Sequence, residues 1–239
     1  MKKILLALMC LAGFASCTMI DAVKYSEEIS DGTDASYDKY PGMNASTLPL
    51  TGKVFTWPSY IKLNNVITGE QNQSNEEDQD ADMKVTDDMY GSGLFVIVTL
   101  VLENTSSSDQ TLLLPRGLLI QSAESSYQNG ILVKDVEIPF KAKEQRVVSV
   151  RFYCLNASAG GSSSSAVYGI GYVTNIPAFE PLFNVCENKK LNINQYKSSN
   201  ILSYYGACTT VQEIVWAITK GKTFTEAEIK KYLKHVKKG

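Results

Sequence analysis

Cys154, preceded by Phe152-Tyr153, and Gln212, followed four residues later by Trp216, are the residues of this 239-residue chain whose types can do chemistry together. A thiolate that attacks a carboxamide expels ammonia and leaves an acyl–sulfur bond. That bond holds its reactivity until an external amine or hydroxyl displaces the sulfur, which is covalent catalysis stopped halfway. On a helix Gln212 and Trp216 form an i,i+4 pair beside the stripe Val211, Ile214, Val215 and Ile218. An indole over the carboxamide would keep water from a hydrolysable bond. Other chemistries find little material. His235 is the one histidine, which excludes a multi-histidine metal site and any Ser–His–Asp or Cys–His arrangement without it. Asp87 and Asp88 are adjacent, so on a strand they point to opposite faces, a poor arrangement for paired carboxylates. The chain is read as a non-enzyme with no cofactor and no metal.

Phe152-Tyr153-Cys154 and Val211-Gln212-Glu213-Ile214-Val215-Trp216 resemble the thioester domains of bacterial surface adhesins. That family joins an aromatic-Cys motif in a β-part to a hydrophobic-Gln-x-x-x-Trp helix in an α-part. The resemblance implies Cys154 as thiol partner and Gln212 as acyl partner, with Tyr153 and Trp216 in support. Many members have Thr before the glutamine and Ala two residues after it, where this chain has Val211 and Ile214. The matching residues number about nine; outside them the likeness is one of architecture.

The same residues also read without chemistry. Thr209-Thr210-Val211-Gln212 is a capping-box pattern, in which the Gln212 side chain would bond its own helix start. Trp216 would then be core. Cys154 would be a packed thiol, or bonded to Cys186 or Cys208, the other two cysteines beyond the N-terminal region.

The positioning elements follow from periodicity. Short β-branched runs (54–57, 60–63, 94–102, 112–114, 118–121, 131–138, 146–155 and 167–173) predict seven or more strands, with 94–102 buried on both faces. After Pro177 the pattern turns helical: a short helix over 179–185, an ambiguous stretch 193–205, and a helix from Thr209 to about Lys220 closed by Gly221. A second capping box, Thr225 to Glu228, opens a last helix carrying lysines 230, 231, 234, 237 and 238. Those lysines read as a solvated face suited to the helix dipole. The predicted fold is α+β: an Ig-like β-sandwich or barrel over 46–176, then a small C-terminal helical part over 177–239.

The N-terminus predicts location. Met1-Lys2-Lys3 precedes an apolar run from Ile4 to Ala15, too short to span a bilayer as a helix, and the run ends Phe14-Ala15-Ser16-Cys17. This resembles the lipobox of bacterial lipoproteins, which implies a signal peptide over 1–16 and lipidation of Cys17. Residues 17–45, rich in Ser, Asp, Tyr and Gly, predict a flexible tether. The segment 70–88 holds eight acids and one lysine and reads as a solvated loop or edge hairpin without EF-hand spacing. A net charge of −2 argues against nucleic acid as partner. The expected protein is a lipid-anchored adhesin of the bacterial cell envelope, on the outer membrane or cell surface. It binds an extracellular protein or glycan, through the thioester or non-covalently with loop aromatics such as Trp57, Tyr60 and Tyr90.

Overall fold

The computed structural model describes residues 25–30, 39–71 and 84–239. The signal peptide, Cys17 and most of the acidic segment lie outside the described residues.

Among the described residues, eleven strands form the β-part: β1 (Lys53–Val54), β2 (Ile61–Leu63), β3 (Ile67–Gly69), β4 (Met89–Gly91), β5 (Val96–Asn104), β6 (Gln110–Leu114), β7 (Leu118–Ser122), β8 (Gly130–Ile131), β9 (Val136–Phe140), β10 (Gln145–Cys154) and β11 (Val167–Val173). Six of them pair in the order β5-β3-β11-β7-β8-β10, and β10 pairs back onto β5, so the sheet closes as a barrel. Of the two architectures left open by strand spacing, the chain takes the barrel. The seam is the longest ladder, antiparallel from Gln145↔Glu103 to Phe152↔Val96. The run 131–138 is not one strand: it breaks into β8, which stays in the barrel, and β9, which pairs with β6 in a separate two-stranded sheet.

Strand alternation fills the barrel. Val96, Val98, Leu100 and Leu102 of β5 and Val148, Val150, Phe152 and Cys154 of β10 point inward and are buried. The opposite face of β5 is only half-covered at Thr99, Val101 and Glu103, not buried on both faces as the apolar run predicts. The outer face of β10 is exposed at Val147 yet fully buried at Tyr153, because helices cover only the C-terminal half of that strand.

The helical part consists of α1 (Glu180–Glu187), α2 (Ile201–Thr219) and α3 (Glu226–Tyr232), joined by 3₁₀ turns. The Thr225 cap forms as expected: its hydroxyl accepts from the Glu228 N–H while the Glu228 carboxylate accepts from the Thr225 N–H. The Thr209 cap does not form. α2 begins eight residues earlier, and the Thr209 and Thr210 hydroxyls donate to the Tyr205 and Gly206 carbonyls one turn back, as mid-helix threonines do. α2 is buried around most of its circumference (Tyr204, Ala207, Val211, Ile214, Val215, Ile218), which weakens the 3.6-residue period that marks a helix in sequence. Gly221, at φ +93°, ends it.

The tether expected over 17–45 is not what its described residues form. Residues 25–30 are helical; Ile29 is fully buried in the helix-facing core, and Lys222 Nζ donates to the Glu28 and Ile29 carbonyls. Met43 is 1% exposed in the same core, and Asn44 N donates to Leu155 O just beyond the end of β10. A low apolar count does not prevent docking when the few apolar residues present reach one core.

Candidate functional site

β10 delivers three residues in alternation: Phe152 and Cys154 into the barrel, Tyr153 out toward the helices. α2 answers with a column at spacing four, Cys208, Gln212 and Trp216. Tyr153 Oη donates to Cys208 Sγ at 3.7 Å. One turn on, the Gln212 carboxamide grips the backbone of Cys154: Oε1 accepts from Cys154 N at 2.9 Å, and Nε2 donates to Cys154 O at 2.8 Å. A further turn on, Trp216 Nε1 donates to Cys154 Sγ at 3.4 Å. The β5–β10 ladder stops at Phe152↔Val96, two residues short of Cys154, and the Gln212 carboxamide supplies the next pair of bonds in place of a strand.

The thioester partners expected from the sequence are thus side by side. The carboxamide carbon of Gln212 is held against the residue whose side chain carries the thiol. Gln212 is 2% exposed and Cys154 is fully buried. Gln212 does not cap its own helix, because it sits near the middle of α2. Cys154, Cys186 and Cys208 are all free and buried, so no disulfide among them competes for the thiol.

Two N–H groups converge on Cys154 Sγ, the Trp216 indole and the Asn156 backbone amide at 3.3 Å. Burial pushes the thiol up to about 12; these two hydrogen bonds act in the opposite direction and are outweighed. The Trp216 ring is stacked on Phe95, 5.8 Å between centroids and 23° between planes. The pair roofs the sulfur with aromatic surface, and Phe95 itself is 37% exposed.

Three supports carry no signal in the sequence. Asn156 reaches back with Nδ2 to the Gly42 and Asn44 carbonyls, both 3.1 Å, pinning the 42–44 segment under the strand end. Tyr204 of α2 donates to Gly93 O at 3.0 Å. Gly93 itself runs so close to β10 that a Cβ there would lie 2.1 Å from Phe152 O, so only glycine fits.

The remaining sequence candidates are elsewhere. Tyr90 is 4% exposed with the Arg146 guanidinium 5.8 Å from its ring, Trp57 packs edge-on to Phe55, and Tyr60 donates to Thr111 O. These aromatics serve packing and do not make one exposed patch. Asp88 is paired to Arg146 at 2.6 Å. Among the C-terminal lysines, Lys230 pairs with Glu226 and Lys231 with Glu28. No described helix is long and apolar enough to cross a membrane, and the described residues hold no cluster of three or more His, Cys, Asp or Glu suited to a metal ion.

Compared with protein families, curated proteins and solved structures, the chain matches none.

Proposed function

We propose that the protein is a lipid-anchored surface adhesin of the bacterial envelope, in which Cys154 and Gln212 condense into an internal thioester that couples covalently to an amine of an extracellular protein or glycan. The observation that carries this reading is the reciprocal pair of hydrogen bonds, 2.9 and 2.8 Å, that holds a buried carboxamide on the cysteine's own backbone.

The geometry supports several requirements of the chemistry. Sγ attacks Gln212 Cδ, the C–N bond breaks, and the nitrogen leaves as ammonia with the thiol proton. The Cys154 N–H already donates to Oε1, where negative charge develops as the carbonyl goes tetrahedral, so it acts as an oxyanion donor. Trp216 Nε1 and Asn156 N stabilise charge on sulfur in both making and opening the bond. The Phe95–Trp216 roof limits hydrolysis, and its exposed edge is where a partner's amine would enter. Anchoring rests on the short apolar run before Cys17; Cys17→Ala should release the protein from membranes.

A second reading draws on the same bonds. The carboxamide satisfies two backbone groups at a strand end, so Gln212 would serve as a strut in a non-covalent binding protein. Methylamine separates the two. Under the thioester reading it adds to Gln212 in the wild type and frees one thiol at Cys154, and Cys154→Ala takes up none. Wild-type protein that takes up no methylamine, with Cys154 titratable after denaturation from the start, leaves only the strut.

A further inference from the structure

A hydrogen-bond network of asparagine amides and backbone joins three stretches of chain where β10 ends, beside Cys154. Asn156 Nδ2 donates to Gly42 O and to Asn44 O, each at 3.1 Å. Asn156 Oδ1 accepts from Asn129 N at 3.0 Å, and Asn129 Nδ2 donates to Gly42 O at 2.9 Å. Gly42 and Asn44 hold φ of +69° and +53°, the left-handed region that glycine and asparagine tolerate best. Asn44 is 7% and Asn156 8% exposed. A satisfied network this deep holds the backbone in one arrangement, because any other would strand buried polar groups.

The arrangement fixes one peptide plane in particular. The Leu155–Asn156 peptide offers its C=O to Asn44 N at 2.9 Å and its N–H to Cys154 Sγ at 3.3 Å. In a trans peptide those two groups point in opposite directions from a rigid plane. A grip on the carbonyl therefore sets where the N–H points, and a hydrogen bond accepted at the oxygen strengthens the N–H as a donor. The other donor on sulfur, Trp216 Nε1, comes from α2.

Resting on the thioester reading, we propose that the Asn156 side chain is a positioning residue for the thioester, acting through the 42–44 segment. Asn156 Nδ2 holds the segment, Asn44 N of the segment holds Leu155 O, and the peptide so fixed keeps its N–H aimed at the sulfur. When a primary amine attacks Gln212 Cδ, the C–S bond breaks with its electron pair going to Sγ. The proton lost by the nitrogen ends on sulfur, giving an amide at Gln212 and a thiol at Cys154. The Asn156 N–H keeps its own proton and stabilises the charge that sulfur carries between the two events. Residues 42–44 are thus part of the reactive site as well as of the fold.

The test follows coupling by mass on the full chain in detergent, with methylamine and with hydroxylamine, for wild type, Asn156→Ala and Leu182→Ala. Asn156→Ala keeps the backbone N–H and releases the segment. Losing an oxyanion donor outright costs about 10²–10³-fold, so a donor that only loses its aim should cost on the order of tenfold. The factor should be the same for both nucleophiles, because the donor acts on the leaving sulfur they share. Amide hydrogen exchange at residue 156 should be faster than in the wild type. Leu182→Ala, which removes a buried side chain of α1 outside the network, should lose stability and couple at the wild-type rate. Wild-type rates in Asn156→Ala would overturn the positioning role, and so would slowing with one nucleophile alone or an equal slowing in Leu182→Ala. Faster coupling would overturn it too, and would make the segment a shield against nucleophiles. An Asn156→Ala chain that does not fold, or folds without the thioester, passes the decision to Asn129→Ala, which removes one bond to Gly42 O. That variant should slow both nucleophiles by a smaller common factor, and wild-type rates in it would overturn the role. In all these outcomes the wild type is lighter by one ammonia; wild-type protein that has kept its ammonia overturns the thioester reading itself, and this role with it.

Discussion

Cys154 and Cys186 are equally hidden from water, and burial pushes both thiols up to about 12, yet their surroundings differ in kind. Cys186 lies on α1 in the core between barrel and helices, among Phe179, Leu182, Phe183 and Val185, with the Lys134 and Lys189 charges pulling its pKa down against burial. Cys154 is met by two N–H donors on sulfur and by a carboxamide on its backbone. A buried cysteine is by default a small apolar filler. What separates a candidate reactive centre from filler here is not burial or proton affinity but an electrophile and its hydrogen-bond donors arranged on the same residue.

The comparison breaks most sharply in labelling. Gln212→Leu should abolish methylamine uptake altogether, whereas Cys186→Ala should take it up like the wild type; uptake is read by mass. Equal loss in both variants would erase the distinction.

Stability comes next. Met43→Ala and Ile29→Ala, which empty the core against which both β10 and α2 pack, should each cost about 2–5 kcal/mol in urea unfolding, the range for truncating a buried Met or Ile. No change would mean that the segment before residue 46 contributes nothing to the fold. In a Cys154→Ala background, where no acyl–sulfur bond can form, Gln212→Leu should still destabilise by about 1–3 kcal/mol for each backbone group it strands. Cys186→Ala, which removes one methyl-sized group, should cost about 1 kcal/mol.

A further contrast appears at alkaline pH. A thiol whose pKa is raised on folding, from 9.0 to about 12, stays protonated in the native state while the unfolded chain has already lost its proton. Its stabilising share is complete below pH 9 and declines as pH rises from there toward 12. Cys186 should show this loss in the wild type, and Cys186→Ala should lack that share. Cys154 should show it only in Gln212→Leu, since a sulfur held in a thioester does not titrate. A wild-type alkaline slope that falls on replacing Cys154 as much as on replacing Cys186 would mean that both are free thiols.

Much of the barrel is legible from sequence because alternation reports which face is buried: all eight strand segments foreseen lie on strands or overlap them, with 131–138 split in two. Cys154, Gln212 and Trp216 could be read because a thiol, a carboxamide and an indole are distinctive side chains at a distinctive spacing. Cys208 and Asn156 could not. Cys208 stands one turn before Gln212, and only the column on α2 reveals it; Asn156 acts through its backbone N–H, which every residue but proline has. The start of α2 was hidden for the opposite reason, since a helix buried nearly all round lacks a polar face to mark its period. The docking of residues 25–30 and 39–45 is not legible in composition, which counts apolar residues and does not show that Ile29 and Met43 converge on one core.

The most direct measurement is the intact mass of the wild-type full chain set against that of Cys154→Ala, each compared with the mass its composition requires, so that any N-terminal lipid cancels. The account predicts that the wild type is lighter by one ammonia and Cys154→Ala by none. A wild-type chain that carries its full complement of nitrogen would contradict it.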